Sequence, residues 1–178
     1  MPKYHVQRSI EINAARHEVF QKVADFSTWT KWSPWLIAEP GANVTVSTDP
    51  SSVGSTYAWD GEVVGAGQLT HEKLESGTFI DDRIQFFRPF KSTNRVTFEF
   101  ADGESGGTRV TWNMYASLPF FMFWMTGMMK SMISMDYDRG LKMLKEWIET
   151  DSIRAQLRSM VANRFPRHVS SAPAAPVT

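Results

Sequence analysis

The chain opens on an alternating pattern. In residues 4–12, Val6, Arg8, Ile10 and Ile12 fall on one side and His5, Gln7, Ser9 and Glu11 on the other. This predicts a strand with one buried face. Asn13 follows at a helix N-cap position, where its side chain can accept from a free backbone N–H. Glu18, Val19, Phe20, Val23 and Phe26 then recur at helical spacing. Trp29, Trp32 and Trp35 come every third residue, near one face of a second short helix that Pro34 tightens or ends.

From residue 43 the pattern changes to repeated strands with short Gly-rich connections. Val96, Phe98 and Phe100 alternate with Thr97 and Glu99, and Val110, Trp112 and Met114 with Thr111, Asn113 and Tyr115. Ile80, Ile84 and Phe86 are set against Asp81, Arg83 and Gln85. Consecutive strands joined this way predict an antiparallel meander with one apolar face, which another element must cover.

The cover is the C-terminal segment. Pro119 can start a helix where a missing N–H costs nothing, and residues 120–149 contain no further proline. At ~1.5 Å per residue, about 30 residues make a rod of some 45 Å. Tyr137, Leu141, Leu144 and Ile148 form its apolar stripe, with Lys142, Lys145, Glu146 and Glu149 solvated. Residues 153–165 form a further amphipathic piece that can continue the helix. The domain reading is one folded unit over 1–150, a helical extension over 151–168 and a disordered tail over 169–178, rich in Ala, Pro and Ser. The most apolar run, 118–129, is far short of the ~20 residues needed to cross a bilayer.

Composition narrows the function. The 178 residues carry no formal net charge, which removes the usual electrostatic argument for nucleic-acid binding. With no cysteine, disulfides and thiolate chemistry are excluded, and a reducing cytoplasmic location is expected. No apolar leader follows the first residues. The four histidines are scattered without ligand spacing, so no metal site is expected. Ten Met, twelve Phe and seven Trp suit an irregular, adaptable interior.

The order strand, two short helices, six strands, long helix carries a set of short motifs: W-T-K-W-S-P-W over 29–35, Trp59-Asp60-Gly61, Val64-Gly65-Ala66-Gly67, Gly107-Thr108-Arg109-Val110-Thr111-Trp112 and Leu118-Pro119. In this order and content the chain resembles the SRPBCC superfamily, related to START domains, and within it the polyketide cyclase/dehydrase-like branch. The resemblance implies an α+β helix-grip fold, a curved antiparallel sheet of about seven strands wrapped round the long helix. It also implies a hydrophobic tunnel between them. It does not imply one activity, since the branch includes ligand carriers, lipid- and quinone-binding proteins and cyclases.

On this reading Tyr57, Trp59, Ile84, Phe86, Phe98, Trp112 and Met114 on the sheet face Met125, Met128, Met129 and Met132 on the helix around a small apolar ligand. The alternative is a solid core. An empty apolar pocket of ~300 Å³ would cost about 7 kcal/mol, comparable to a domain's whole stability. The interior is therefore expected to be collapsed, wet or filled. Glu72 is the candidate general acid or base if its face of the strand, shared with Thr70, is the concave one. Tyr57, Tyr115 and Glu72 are candidate orienting groups. No cofactor is expected. Arg154, Arg158, Arg164 and Arg167 leave a peripheral contact with anionic lipid open beside a solvated helix face. Binder, cyclase or dehydratase, and protein-interaction domain all remain as readings.

Overall fold

A computed structural model describes residues 3–117 and 124–164. One seven-stranded antiparallel sheet holds β1 (Lys3–Ile12), β2 (Asn43–Val46), β3 (Thr56–Asp60), β4 (Ala66–Glu75), β5 (Phe79–Arg88), β6 (Ser92–Asp102) and β7 (Thr108–Ser117), in the order β1-β7-β6-β5-β4-β3-β2. Strands β2 to β7 form the expected meander, and β1 closes it by pairing with β7 from Lys3↔Ser117 to Ile12↔Thr108. Between β1 and β2 lie α1 (Arg16–Ala24), a 3₁₀ helix (Phe26–Lys31) and α2 (Trp35–Ala38), and the last described element is α3 (Thr126–Arg164). This is the helix-grip arrangement of the sequence reading.

The tryptophan spacing has a sharper cause than an ordinary helix. A 3₁₀ helix repeats every three residues, so side chains at i and i+3 eclipse. Phe26, Trp29 and Trp32 consequently share one face, and each is at most 1% exposed. Trp29 Nε1 donates to the Val23 carbonyl at 2.8 Å, which fixes the 3₁₀ helix on α1.

One expectation is corrected. Asn13 is not the N-cap of α1. That position belongs to Ala15, with no side-chain capping bond, and the Asn13 backbone N–H instead donates to Glu149 Oε1 at 2.9 Å. The 153–164 stretch continues the long helix, since α3 runs unbroken to Arg164. The helix start at Pro119 and the tail over 169–178 lie outside the described residues.

Helix α3 lies along β1. Its inner positions, Tyr137, Leu141, Leu144 and Ile148, are at most 1% exposed, as the stripe predicts. Gly140 sits where a Cβ would come within 3.0 Å of the Trp112 ring and 3.1 Å of Pro34. It marks a close approach of helix to sheet rather than a weak point in the helix. The far end of the helix is tied down by Lys145 Nζ donating to the Glu11 carbonyl at 2.6 Å and by Lys22 and Lys31 over the Trp147 ring.

Candidate functional site

The concave face of the sheet divides into a closed zone and a half-open one. In the closed zone Trp112 stacks on Tyr137 with centroids 3.8 Å apart, and on Phe98 at 4.9 Å. Trp32 meets Trp112 edge to face at 5.7 Å. Trp29 packs against Tyr57, Phe98 and Trp112. Of the residues expected to line a pocket, Tyr57, Ile84, Phe98, Trp112 and Met114 are all buried here.

The half-open zone is built from Trp35, Trp59, Phe86, Met129 and Ile133. All are partly buried and packed against the core. Trp59 and Phe86 meet edge to face at 5.8 Å. Met125 is also half-buried. Met128 and Met132 are not part of this zone, which corrects the sequence reading. At 51% and 54% exposed they lie on the outer face of α3. The segment's apolar character all round hides which methionines point inward, and only 129, 133 and 137 continue the buried i, i+4 row.

Glu72 is corrected as well. Its strand face is the outer one. The carboxylate pairs with Arg83 at 2.7 Å, with both side chains nearly half exposed. A desolvated carboxyl is what acid-base work would need, and Glu72 is not desolvated.

Two of the buried titratable groups are His71, which takes the strand face opposite Glu72, and Asp82. His71 and Asp82 are opposed across β4 and β5, and both side chains are fully buried. Asp82 has the strand parity of Ile80 and Ile84, so the sequence did place one carboxyl on the apolar face. His71 Nδ1 lies 2.5 Å from Asp82 Oδ1, and Nε2 lies 2.9 Å from the Ala24 carbonyl. A carbonyl only accepts, so Nε2 carries a hydrogen, and the second bond shares one proton between Nδ1 and the carboxyl. The ring also stacks on Phe26 at 3.8 Å. Both imidazole nitrogens are thus occupied in tying α1 to the sheet. Burial pushes the Asp82 carboxyl above its usual range, opposed by its bond to His71. Burial likewise holds Tyr137 far above the usual phenol value, with Tyr4, Asp82 and Asp136 adding to the effect.

Three buried side-chain atoms have no hydrogen-bond partner among the described residues: Trp32 Nε1, Asp82 Oδ2 and Trp112 Nε1. Each such atom costs roughly 1–3 kcal/mol if left unsatisfied. Two are donors and one is an acceptor. Trp32 and Trp112 touch, and Asp82 is reached from Trp32 through Trp29, Phe26 and His71, each in contact with the next.

The outer face of the sheet carries a separate depression of about 1000 Å³, open to solvent and lined among others by His5, Glu72, Asp81, Arg83, Arg95 and Tyr115. Tyr115, an expected orienting group, is here, stacked on His5 at 4.5 Å and away from the concave face. The charges are internally matched. Arg95 makes two bonds to Asp81, at 2.8 and 2.7 Å, and the buried Asn113 joins His5 to Thr97 and Glu99. Among the described residues no cluster of metal-ligating side chains occurs, and no helix is long and apolar enough to cross a membrane.

Residues 3–149 match the family described as polyketide cyclase / dehydrase and lipid transport. The chain belongs to this family. The cavity of this fold typically binds small hydrophobic or amphipathic molecules. Solved structures repeat the fold at low identity. MLL2253 from Mesorhizobium loti matches with a TM-score of 0.63 and 11% identity, over 83% of this chain and 98% of its own. CV1439 from Chromobacterium violaceum matches at 0.61 and 16%, over 82% and 96%. DynU16, of the dynemicin biosynthetic locus, matches at 0.60 and 14% over 84% of this chain, which spans only 49% of that protein. No curated protein matches the sequence.

Proposed function

We propose that this chain is a binding protein for an uncharged amphipathic molecule carrying a hydroxyl, seated on the concave face and entering past Trp59, Phe86 and Met129. The observation that carries the reading is the set of partnerless atoms on Trp32, Asp82 and Trp112 in the buried interior. A hydroxyl is the group that can serve either kind, donating as Asp82 Oδ2 requires or accepting as an indole N–H requires. Apolar burial then supplies affinity at roughly 25 cal/mol per Å² before immobilisation costs, and the hydroxyl sets orientation. A carboxylate head is disfavoured beside Asp82, which points away from free fatty acids. Met125, Met129, Ile84, Tyr57, Phe98 and Met114 are the apolar walls in this reading. A cytoplasmic location belongs to the same reading, supported by the absence of cysteine.

The catalytic alternative has less to support it. His71 has no free nitrogen, and Glu72 is ion-paired at the surface. The test is calorimetric titration with three probes of one shape: 2-naphthol, 2-methoxynaphthalene and 2-naphthoate. The expected order is naphthol first by about tenfold, as one good hydrogen bond implies, methoxynaphthalene next, and naphthoate last. Equal affinity for the first two would remove the polar anchor and leave an apolar binder. No binding of any of the three, together with nothing released on denaturing the purified protein, would sink the carrier reading.

A further inference from the structure

Helix α3 carries a second stripe, opposite the one that packs on the sheet. Met128, Met132, Met135, Ile153, Leu157 and Met160 are 51% to 64% exposed. At 100° per residue, these six and the exposed Arg139, Lys142 and Glu146 between them fall within an arc of about 80°. The stripe is apolar at both ends and charged in the middle. It is about 48 Å long at ~1.5 Å per residue. Lys142 and Glu146 form no ion pair with any described residue, whereas their neighbours Lys145 and Glu149 pair with each other.

We propose that this stripe is the contact surface of an antiparallel homodimer, in which α3 lies against α3 of a second copy about a two-fold axis at residue 144. The pattern is self-complementary in that direction. Met128 falls opposite Met160 of the partner subunit, Met132 opposite Leu157 of the partner subunit, and Met135 opposite Ile153 of the partner subunit. Lys142 meets Glu146 of the partner subunit, and the symmetry repeats this pair. A parallel arrangement would set Lys142 against Lys142 and Glu146 against Glu146, which is repulsive. An isologous two-fold contact needs one patch that complements itself, and this patch does so in residue type and in charge.

A second observation points the same way. Ile148, Glu149 and Asp151 anchor α3 to the body, whereas residues 153–158 are all exposed. A helical stretch so exposed gains little from packing, and most helical stability comes from packing of an apolar face. The partner's Met-rich first half would cover it. Methionine at such a contact adapts its shape to the neighbour.

The test uses the full chain, by light scattering after size exclusion and by sedimentation. A dimer is expected at ~10 µM. Leu157→Glu is expected to weaken it by about a hundredfold, through burial of a charge without a partner. Lys142→Glu and Glu146→Lys alone are each expected to weaken it about tenfold, and the double exchange to restore it. Orientation is read by disulfides, because the chain has no cysteine of its own. In a mixture of the Met135→Cys and Ile153→Cys variants, antiparallel packing gives the mixed disulfide. All substituted positions are exposed, so folding is retained and is checked by circular dichroism. A monomer overturns the proposal, as do like-with-like disulfides or a double exchange that fails to restore association. A monomer that co-sediments with anionic vesicles and loses this with Leu157→Glu would overturn it in favour of a lipid surface.

Discussion

The indole of Trp59 lies over Gly67, its direct partner across β3 and β4. A Cβ on residue 67 would overlap the Trp59 ring and would also sit 2.6 Å from the Gln85 carbonyl. The glycine is therefore the floor on which a half-buried aromatic at the open end of the concave face is laid. Gly67→Ala is expected to lift Trp59, break its edge contact with Phe86, and destabilise the fold by about 1–3 kcal/mol, the usual range for overpacking. Urea unfolding measures the loss. A variant as stable as the parent would show that the ring has room to move.

Gly67 also shows what the sequence could and could not convey. Alternation assigned Val96, Phe98, Val110, Trp112 and Ile84 to the buried face, because the strand period is two and the loops are short. Those elements need no long-range information. Trp59 over Gly67, and His71 against Asp82, depend on the register between strands, which alternation alone does not set. The methionines failed for a different reason. A segment apolar on every side contains no phase of its own, and Met129 is told from Met128 and Met132 only by carrying the stripe back from Tyr137 in steps of four, through 133 to 129. Asn13 was misread because a capping residue was assigned from type, while the contact its backbone makes is 136 residues away, at Glu149.

The pair His71–Asp82 is buried, and its two members depend on each other. Removing one partner of a buried pair typically costs 3–5 kcal/mol, whereas replacing both with apolar groups is often neutral. His71→Phe is thus expected to destabilise by about that amount, and His71→Phe with Asp82→Leu to recover most of it. The single variant should also respond to pH. Burial raises the Asp82 carboxyl, so the folded state holds its proton more readily than the unfolded chain. Stability is then fullest below about 4, the unfolded value, and falls as pH rises toward the raised folded value. Unfolding curves at pH 4 and pH 8 check the sign. A double variant no better than the single one would mean that the pair is not the source of the loss.

Glu39 organises the loop beside Trp59. Its carboxylate accepts from the backbone N–H groups of Glu62, Val63 and Val64 at 2.8 to 3.0 Å, and it occupies the space a side chain on Gly61 would need. The N–H bonds from Val64 and Glu62 lead in holding its acidity below the usual carboxylate range. For a carboxyl with a lowered value, the stabilisation is present above the unfolded value of about 4.3 and is lost as pH falls through the folded one. The melting-temperature difference between the parent and Glu39→Gln is expected to be steady near neutrality and to shrink below that point. Amide exchange at Val63 and Val64 should quicken in the same window. A difference that persists unchanged into acid would mean that the amide replaces the carboxylate in every bond.

The corner where β1 ends tests side chain against backbone. The Asn13 N–H donates to Glu149 Oε1, Lys145 pairs with the same carboxylate at 3.1 Å, and Lys145 also reaches the Glu11 carbonyl. The Asn13 side chain makes no capping bond to α1. Asn13→Ala keeps the backbone N–H, so it is expected to change stability by less than about 0.5 kcal/mol, the range of ordinary surface substitutions. Glu149→Ala removes the acceptor for both the N–H and the lysine. It is expected to cost more than Asn13→Ala and to loosen α3 where it leaves the sheet, seen as faster amide exchange at Asn13. Equal effects from the two variants would restore the side chain of Asn13 to the capping role its residue type suggests.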